Sequence, residues 1–234
     1  MPEVYVGTSG WFYSWNPERT LDWYIANSKL NSIELNASFY RFPFPNQIKS
    51  WAKKSFALRW AIKVSRRITH LDKFNSASYE IWQSFYELFS PLEDAIDFYL
   101  FQLPPSFTPE SLLVLEKFIK KTDLKEKFAL EVRNSKWFKD EYLLWAKDLK
   151  ITWVSISAPK LPDTIYNTNG IVYLRFHGKD QWYQYCYSKK ELKDFVQRIL
   201  KVAPKKIYAF FNNDQDMLTN AQTFKNLLEK ALRI

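Results

Sequence analysis

Charged side chains recur at the carboxyl ends of several segments whose apolar–polar alternation predicts β-strands. Glu34 and Glu131 are the two carboxylates in this position. A carboxylate pair is the usual equipment for proton transfer, and for cleavage of a glycosidic bond where the separation fits. The pattern therefore predicts Glu131 as a general base and Glu34 as its catalytic partner.

Three cations, Lys63, Arg133 and Arg175, occupy equivalent positions. Set against the two carboxylates they leave a surplus of positive charge, which favours an anionic ligand. His177, two residues beyond Arg175, is predicted as a third catalytic residue because an unperturbed imidazole exchanges a proton near neutral pH. The opposing interpretation is a salt-bridge network in which the cations only neutralise buried glutamates.

Other polar and aromatic residues at the same strand ends would complete a binding site. Amides and a second imidazole can hydrogen-bond a ligand, and aromatic rings at the rim can stack on a sugar or a nucleobase. The plainer interpretation of any one ring is a lid over the core. The predicted binding residues are Trp11, Asn36, Tyr40, Lys63, His70, Gln102, Arg133, Trp137, Arg175, Asn212 and Asn213.

Metal and cofactor chemistry is not predicted. Zinc sites need several His, Cys or carboxylate ligands, and the chain has two histidines and one cysteine. A single Mg²⁺ on Glu34 and Glu131 stays open as an alternative. No Rossmann or phosphate-loop signature occurs, since the Gly7–Gly10 spacing is too short.

Eight strand-like segments must position these residues, and most are separated by a segment of helical periodicity. Units of about 30 residues predict an α/β fold of the TIM-type (β/α)₈ barrel. The helix between strands six and seven is predicted to be weak or missing, because residues 157–170 lack a helical period. Thr108 and Ser188 are predicted N-caps. The predicted strands are Glu3–Gly7, Ser32–Asn36, Arg59–Val64, Asp97–Gln102, Lys127–Val132, Ile151–Ile156, Ile171–Phe176 and Lys206–Phe211.

The phase of the polar residues favours the barrel over an open doubly wound sheet. In a barrel, alternate residues of each strand face the helices or the axis. The pattern directs the polar residues of seven strands to the axis at the carboxyl end, where active sites of this fold lie. On strand six it assigns Ser155 and Ser157 to the axis, with Val154 and Ile156 facing the helices.

The composition predicts one globular barrel domain over residues 1–234, with 47% hydrophobic and 18% aromatic residues. No apolar run reaches the ~20 residues of a membrane span, and no signal peptide is recognised. The single cysteine suits a reducing, cytoplasmic location. The net charge of +9 favours acidic partners or serves solubility alone, and nothing in the sequence fixes an oligomeric state.

Seven short motifs follow one another along nearly the whole chain. They are Gly7-Thr8-Ser9-Gly10-Trp11, Glu34-Leu35-Asn36 with Phe39-Tyr40-Arg41, Ile68-Thr69-His70, Phe101-Gln102-Leu103-Pro104-Pro105, Glu131-Val132-Arg133 with Trp137-Phe138, Leu174-Arg175-Phe176-His177-Gly178 and Phe211-Asn212-Asn213. In this order they resemble the YecE-like family, also called domain of unknown function 72. The resemblance implies a TIM-type barrel and leaves the chemistry open. Many relatives carry an acid after strand six, where this chain has Ser155 and Ser157, so no role of that acid is carried over.

Two functional hypotheses from different classes follow. The first is an enzyme, a hydrolase or an isomerase, that performs metal-independent acid–base or hydrolytic chemistry on a small anionic substrate such as a sugar phosphate. The second is a nucleic-acid binding or processing module, which the net charge, the rim aromatics and a fold-level likeness to repair endonucleases support. Only the second predicts nucleic-acid affinity that falls steeply with salt.

Overall fold

Eight parallel strands close into a barrel in sequential order, with β8 pairing back onto β1. A computed structural model describes residues 1–232 of the chain, apart from the side chain of Ser55. The predicted fold class is confirmed, and the open sheet is excluded by the β1–β8 pairing. The strands are β1 Glu3–Thr8, β2 Ser32–Leu35, β3 Arg59–Lys63, β4 Ile96–Gln102, β5 Phe128–Glu131, β6 Thr152–Ser157, β7 Ile171–Phe176 and β8 Lys206–Phe211.

Helices surround the barrel wherever the sequence has a helical period. No helix lies between β6 and β7, where residues 158–170 run as coil and turn, so the predicted gap is confirmed. The remaining connections contain α1 Leu21–Asn27, α2 Pro45–Ala52, α3 Ser76–Phe89, α4 Leu112–Thr122, α5 Asp140–Asp148 and α6 Lys189–Lys201, and α7 Met217–Leu232 follows β8. None of these helices within residues 1–232 is long and apolar enough to cross a membrane.

The two predicted helix caps have different outcomes. Ser188 caps α6 through a capping box, in which its hydroxyl accepts from the Glu191 N–H and the Glu191 carboxylate accepts in return. Thr108 holds the N-cap position with an extended backbone, but its side chain makes no capping hydrogen bond. A 3₁₀ turn at Pro109–Ser111 precedes α4 instead, so the α-helix begins three residues later than expected.

Alternate strand residues face the axis and the helices, as barrel geometry requires. The outward side chains join those of the helices in one large apolar cluster. The carboxyl end of the barrel, where the polar axis-facing residues lie, is called the mouth. Inside the barrel, a separate apolar cluster fills the space beneath it. Its buried members are Ala61, Phe98, Leu100, Ala129, Val154, Ile156, Tyr173, Tyr208 and Phe210.

The prediction for strand six is wrong: the residues predicted to face the axis face outward, and those predicted to face outward face the axis. Val154 and Ile156 face the axis, and Ser155 pairs in register with the outward Leu174. The coil that replaces the missing helix explains the reversal, because coil needs hydrogen-bond partners that a helix supplies to itself. The Ser155 Oγ accepts from the Tyr166 N–H at 2.8 Å, and the Ser157 Oγ lies 2.8 Å from the Tyr187 hydroxyl. Neither serine belongs to the mouth.

Candidate functional site

A buried guanidinium forms the floor of the barrel mouth. Arg175, on β7, donates from Nη1 to Glu131 Oε2 at 2.5 Å and from Nη2 to Glu34 Oε1 at 2.6 Å. All three side chains are fully buried. The parity of the strands directed these residues to the axis, and the structure brings them together. Their direct pairing is the salt-bridge network that stood as the opposing interpretation of the sequence.

Glu34 has no oxygen left for a substrate. Its Oε1 also accepts from the Ser9 hydroxyl at 2.6 Å, and its Oε2 accepts from the Tyr173 hydroxyl at 2.6 Å. Burial and the carboxylate of Glu34 raise the pKa of Tyr173 well above its ordinary value, so the phenol stays a donor. A carboxylate surrounded by donors is held in place and does not offer ligand atoms to a cation.

Both oxygens of Glu131 also accept hydrogen bonds from neighbouring side chains. Its Oε1 accepts from Arg133, and its Oε2 from Arg175. Burial opposes ionisation of this carboxyl, but the charges of Arg133 and Arg175 hold its pKa well below the usual range. A carboxylate with so low a pKa is a weak base at neutral pH. The geometry therefore favours a structural role for the residue predicted as the general base.

His177 is buried and electrically neutral. Burial and the charges of Arg133 and Arg175 hold its pKa well below the ordinary value. Arg133 Nη2 lies 3.0 Å from Nε2 and can only donate, so Nε2 is the unprotonated nitrogen. The amide nitrogen of Asn212 lies 3.2 Å from the other ring nitrogen, Nδ1. The lowered pKa argues against the predicted proton exchange of this ring near neutral pH.

Lys63 differs from the other cations of the mouth because it has no acidic partner. Its Nζ lies 4.0 Å from the centre of the Phe39 ring, and no carboxylate within residues 1–232 is at ion-pair distance. The side chain is partly exposed. Burial together with the charges of Arg175 and Arg133 lowers the pKa of this amine to about 7, against the opposing pull of Glu131 and Glu34.

A cleft of about 540 Å³ opens above the floor, between the ends of β4 to β7. Gly178, at a φ of +112°, turns the chain after β7; a Cβ there would lie 2.2 Å from the Gln181 carbonyl oxygen. The turn brings Trp182 over Arg133, whose guanidinium carbon is 4.5 Å from the ring centre. The lining includes Gln102, Arg133, Asn134, Lys160, Trp182 and Tyr183.

A smaller and more apolar pocket of about 270 Å³ lies on the β1–β2 side of the mouth. Tyr40 at its edge is 71% exposed, whereas Trp11 packs edge-on against Trp51 and Trp60 and is only partly exposed. Asn36 lines the same pocket and lies 3.4 Å from Arg175. Three of the predicted binding residues thus border a real cavity.

Two predicted binding residues are buried outside the cleft of the mouth, although Asn213 also lines a separate pocket of about 420 Å³. Trp137 is fully buried, stacks near Phe107 and donates its indole N–H to the Phe107 carbonyl at 2.8 Å. Asn213 donates to the Tyr185 carbonyl and to Asn220, and holds the loop after β7 in place. Each prediction is corrected for the same reason: a residue beyond a strand end can turn under the rim as well as into the mouth.

The second histidine, His70, lies at the edge of the mouth. A π-helical turn at Arg67–Leu71 carries it, and its ring meets the Phe39 ring edge-on at 5.0 Å between centres. Nδ1 is 2.8 Å from the Thr69 hydroxyl. Burial and the neighbouring cations, Lys63 foremost, lower the pKa of His70 to about 4.

Several residues of the mouth were not predicted. Tyr173 lies two residues before Arg175 on the same strand, so the parity that selected Arg175 selects it as well. Trp182 and Tyr183 lie in the loop between Gly178 and Ser188, where the presence of four aromatic residues among residues 182–187 is the available signal. Ser9 has none, because only the fold brings its loop to Glu34.

A family model described as "Protein of unknown function DUF72" matches residues 5–233. The chain belongs to the DUF72 family. The YecE-like resemblance is thereby confirmed. No curated protein matches the sequence.

Solved DUF72 structures share the whole barrel. A DUF72 protein from Thermotoga maritima superposes with a TM-score of 0.86 at 26% identity, over 97% of this chain and 99% of the other. One from Enterococcus faecalis gives a TM-score of 0.84 at 22% identity, over 97% and 95% of the two chains. These similarities show that the fold is shared over nearly the whole of each chain.

Proposed function

We propose that this DUF72 barrel is an enzyme that acts without a metal on a small anionic substrate at the carboxyl-end mouth. One observation carries the proposal: the mouth keeps an unneutralised amine, Lys63, after both of its carboxylates are paired. Arg175 and Arg133 satisfy Glu34 and Glu131, so any further cation is available to a ligand. Such a surplus of positive charge at the mouth attracts anions.

Arg133 is the proposed anchor for the anionic group. Its Nε and Nη2 are used by Glu131 and His177, and Nη1 makes no hydrogen bond within the described residues. The guanidinium lines the cleft, and Trp182 covers one of its faces. An oriented guanidinium edge suits a phosphate or carboxylate oxygen.

Lys63 replaces the glutamates as the proposed proton-transfer group. A group whose pKa lies near the working pH is best suited to exchange protons, and the Lys63 amine satisfies this condition with a pKa of about 7. In this proposal Glu34 and Glu131 fix the positions of Arg175 and Arg133 and do not touch the substrate.

An anion titration tests the binding half of the proposal. Thermal shift and calorimetry with phosphate, sulfate and a series of sugar phosphates should give saturable binding to the wild type. Arg133→Gln should weaken it at least tenfold. Lys136→Gln is the matched control, because it removes one positive charge from an exposed site near the same strand end. Unchanged affinity in Arg133→Gln would overturn the assignment of the cleft.

An assay of turnover tests the proposal that the protein is an enzyme. A phosphorylated or carboxylated compound that raises the melting temperature is then assayed for conversion. Lys63→Arg should abolish conversion while binding persists, because arginine keeps the charge but does not release its proton near neutral pH. Full activity of Lys63→Arg would exclude Lys63 as the proton-transfer group.

A second candidate function, nucleic-acid binding, is favoured by one further surface. A groove beside the mouth is lined by Tyr40, Arg41, Arg66 and Arg67, an arrangement of ring and cations that suits a sugar–phosphate backbone. Filter binding of single- and double-stranded DNA at two salt concentrations tests it. Affinity that falls steeply with salt and is lost in Arg66→Gln/Arg67→Gln supports this candidate; no retention at low salt excludes it.

A further inference from the structure

Two cavities on the β1–β3 side of the mouth share one side chain, that of Tyr40. It lines the apolar pocket of about 270 Å³ and also the groove of about 390 Å³ that contains Arg41, Arg66 and Arg67. Tyr40 and Arg41 are consecutive residues, so one stretch of backbone supplies the shared wall and the first cation of the groove. A ligand that extends past the Tyr40 ring can therefore occupy both cavities.

The apolar pocket is rich in aromatic side chains. Its four rings are those of Trp11, Phe12, Tyr13 and Tyr40. Phe12 is 68% exposed and Tyr40 is 71% exposed. Gly10 turns the chain just before the first three rings, at a φ of +109° that favours glycine. Large rings that surround a cavity and stay open to water are typical of a surface that binds a flat ligand.

Few polar side chains of this pocket are free to bind a ligand. The Ser9 hydroxyl donates to Glu34, and the Tyr13 hydroxyl donates to the Ser9 carbonyl. Asn36 has spare capacity, because its Oδ1 makes only a 3.4 Å contact with Arg175 and its Nδ2 makes no hydrogen bond within the described residues. A sugar would bring more hydroxyls than the pocket can pair, whereas a nucleobase needs only a few contacts along its edge. The lining therefore favours a base over a sugar.

The groove next to Tyr40 carries uncompensated positive charge. Its lining includes three arginines and no acid, and none of the three is at ion-pair distance from a carboxylate in the part of the chain that the structure describes. Arg66 and Arg67 are exposed, and Arg41 lies over the Phe44 ring, 5.6 Å from its centre. The planar fork of a guanidinium matches the oxygens of a phosphate. The groove thus offers a phosphate site directly beside the aromatic pocket.

We propose that the pocket and the groove together bind a nucleotide, with its base against the rings and its phosphate on the arginines. The inference rests on the groove of the second candidate function and adds a separate place for the base. It does not depend on the Arg133 cleft. A free nucleotide and one unit of a single strand offer the same base and phosphate, so the experiment has to separate these two sources.

A calorimetric titration with a matched series of compounds tests the proposal. Adenosine 5′-monophosphate should bind at least about tenfold more tightly than ribose 5-phosphate, because only the nucleotide carries a base that can stack. A single strand of about ten nucleotides identifies the source. An affinity at least about tenfold above that of the mononucleotide indicates a strand, and an equal affinity indicates a free nucleotide. A nucleotide that binds no more tightly than ribose 5-phosphate would overturn the proposal.

Variants of the two exposed rings test the place of the base. Phe12→Ala and Tyr40→Ala should each weaken nucleotide binding at least about fivefold, the lower end of what stacking on an aromatic side chain contributes. Phe56→Ala is the matched control, because Phe56 is 91% exposed and precedes β3 at the other end of the barrel. Unchanged affinity in both ring variants would overturn the assignment of the pocket.

Charge variants test the place of the phosphate. Arg66→Gln/Arg67→Gln should weaken nucleotide binding at least about tenfold, because two charge-assisted hydrogen bonds are lost. Lys49→Gln/Lys53→Gln, on two exposed lysines at the end of α2, removes the same charge elsewhere and should have little effect. Equal effects of the two double variants would show attraction by net charge alone and would overturn the phosphate site.

Arg133→Gln separates this site from the cleft. Nucleotide affinity should stay unchanged in this variant. Its loss would assign the nucleotide to the cleft, which overturns the present inference and supports the anion anchor proposed above. Strand binding that needs Arg66 and Arg67 but neither ring would retire the base pocket and leave the second candidate function standing. Absence of binding by both nucleotide and strand would overturn the inference together with that candidate.

Discussion

Glu34 and Glu131, on β2 and β5, are joined through a single guanidinium, that of Arg175. Two strands on different sides of the barrel are thereby tied at the floor of the mouth, above the apolar cluster. Because every partner is fully buried, the network cannot exchange its hydrogen bonds for water. Its members are more important for the rigidity of the mouth than for direct contact with a ligand.

The first prediction concerns removal of that guanidinium. Arg175→Leu leaves two buried carboxylates without their shared partner, so we expect a loss of about 3–5 kcal/mol in the free energy of unfolding by urea. Arg175→Lys should lose less, because an ammonium retains the charge but cannot donate from two divergent nitrogens. Arg198→Leu, which removes two ion pairs to exposed acids, a hydrogen bond to the Asp163 carbonyl and the contact with the Phe195 ring, should cost clearly less than Arg175→Leu. Equal effects of the two leucine variants would contradict this account.

A second prediction concerns the Tyr173 hydroxyl, which donates a hydrogen bond to Glu34. Tyr173→Phe removes a 2.6 Å hydrogen bond to a buried carboxylate and changes little else in shape. We expect a loss of about 1.5–3 kcal/mol in unfolding free energy, measured by urea titration. Tyr142→Phe, on a tyrosine at the surface of α5, provides the comparison and should be close to neutral. A neutral Tyr173→Phe would show that Glu34 does not depend on this donor.

A third prediction follows from the two neutral histidines. Their pKa values are lowered in the folded chain, so the unfolded chain, with an ordinary value near 6.5, binds more protons as the pH falls. The contribution of the two rings to stability should therefore be fully present above about pH 6.5 and decline towards pH 5, by up to about 1.4 kcal/mol per pH unit for each ring. Glu131, a carboxyl with a lowered pKa, adds to the decline only below about pH 4.3.

Urea midpoints at pH 7, 6 and 5 measure that slope. His177→Gln should reduce it, since glutamine can accept from Arg133 without titrating. The double variant with His70→Gln should remove the slope between pH 6 and 5, because the chain contains two histidines, and Lys63, with a pKa of about 7, is already protonated there. A flat wild-type profile between pH 7 and 5 would contradict the assigned protonation of both rings.

A fourth prediction separates two tryptophans that the sequence does not distinguish. Trp137→Ala empties a fully buried site and should cost about 3–5 kcal/mol in unfolding free energy, without changing phosphate affinity per folded molecule. Trp182→Ala should leave stability within about 1 kcal/mol and weaken phosphate binding several-fold, because Arg133 loses the ring that holds its guanidinium. Thermal melts and calorimetry measure the two effects, and reversed results would reassign the rings.

The strands and the floor of the mouth could be predicted because they depend on short-range pattern. Alternation selects Glu34, Glu131 and Arg175 for the axis, and a barrel must bring axis residues at one end together. The burial of side chains in the loops could not be predicted in this way. Whether Trp137 or Trp182 faces the cleft depends on how each loop folds over the rim, and one glycine turn decides it for Trp182.

Strand six shows the limit of the same pattern. Its two serines match a polar axis face in sequence, and their outward position follows from the absence of a helix that the sequence had already predicted. A strand covered by coil needs polar side chains on its outer face, and Ser155 accepts from the Tyr166 amide of that coil, whereas Ser157 contacts Tyr187 in the loop after β7.

That coil has a kinetic consequence. On this flank several amide protons are held by single side chains: Tyr166 by Ser155, Trp153 by Thr168 and Gly170 by Asn167. An amide bonded within a helix exchanges with deuterium only when a cooperative unit opens, whereas one bonded to a hydroxyl is released by a single rotation about χ1. Deuterium uptake should therefore begin between the sixth and seventh strands. The barrel should open locally there, while the amides of the strands on its opposite side stay protected from exchange.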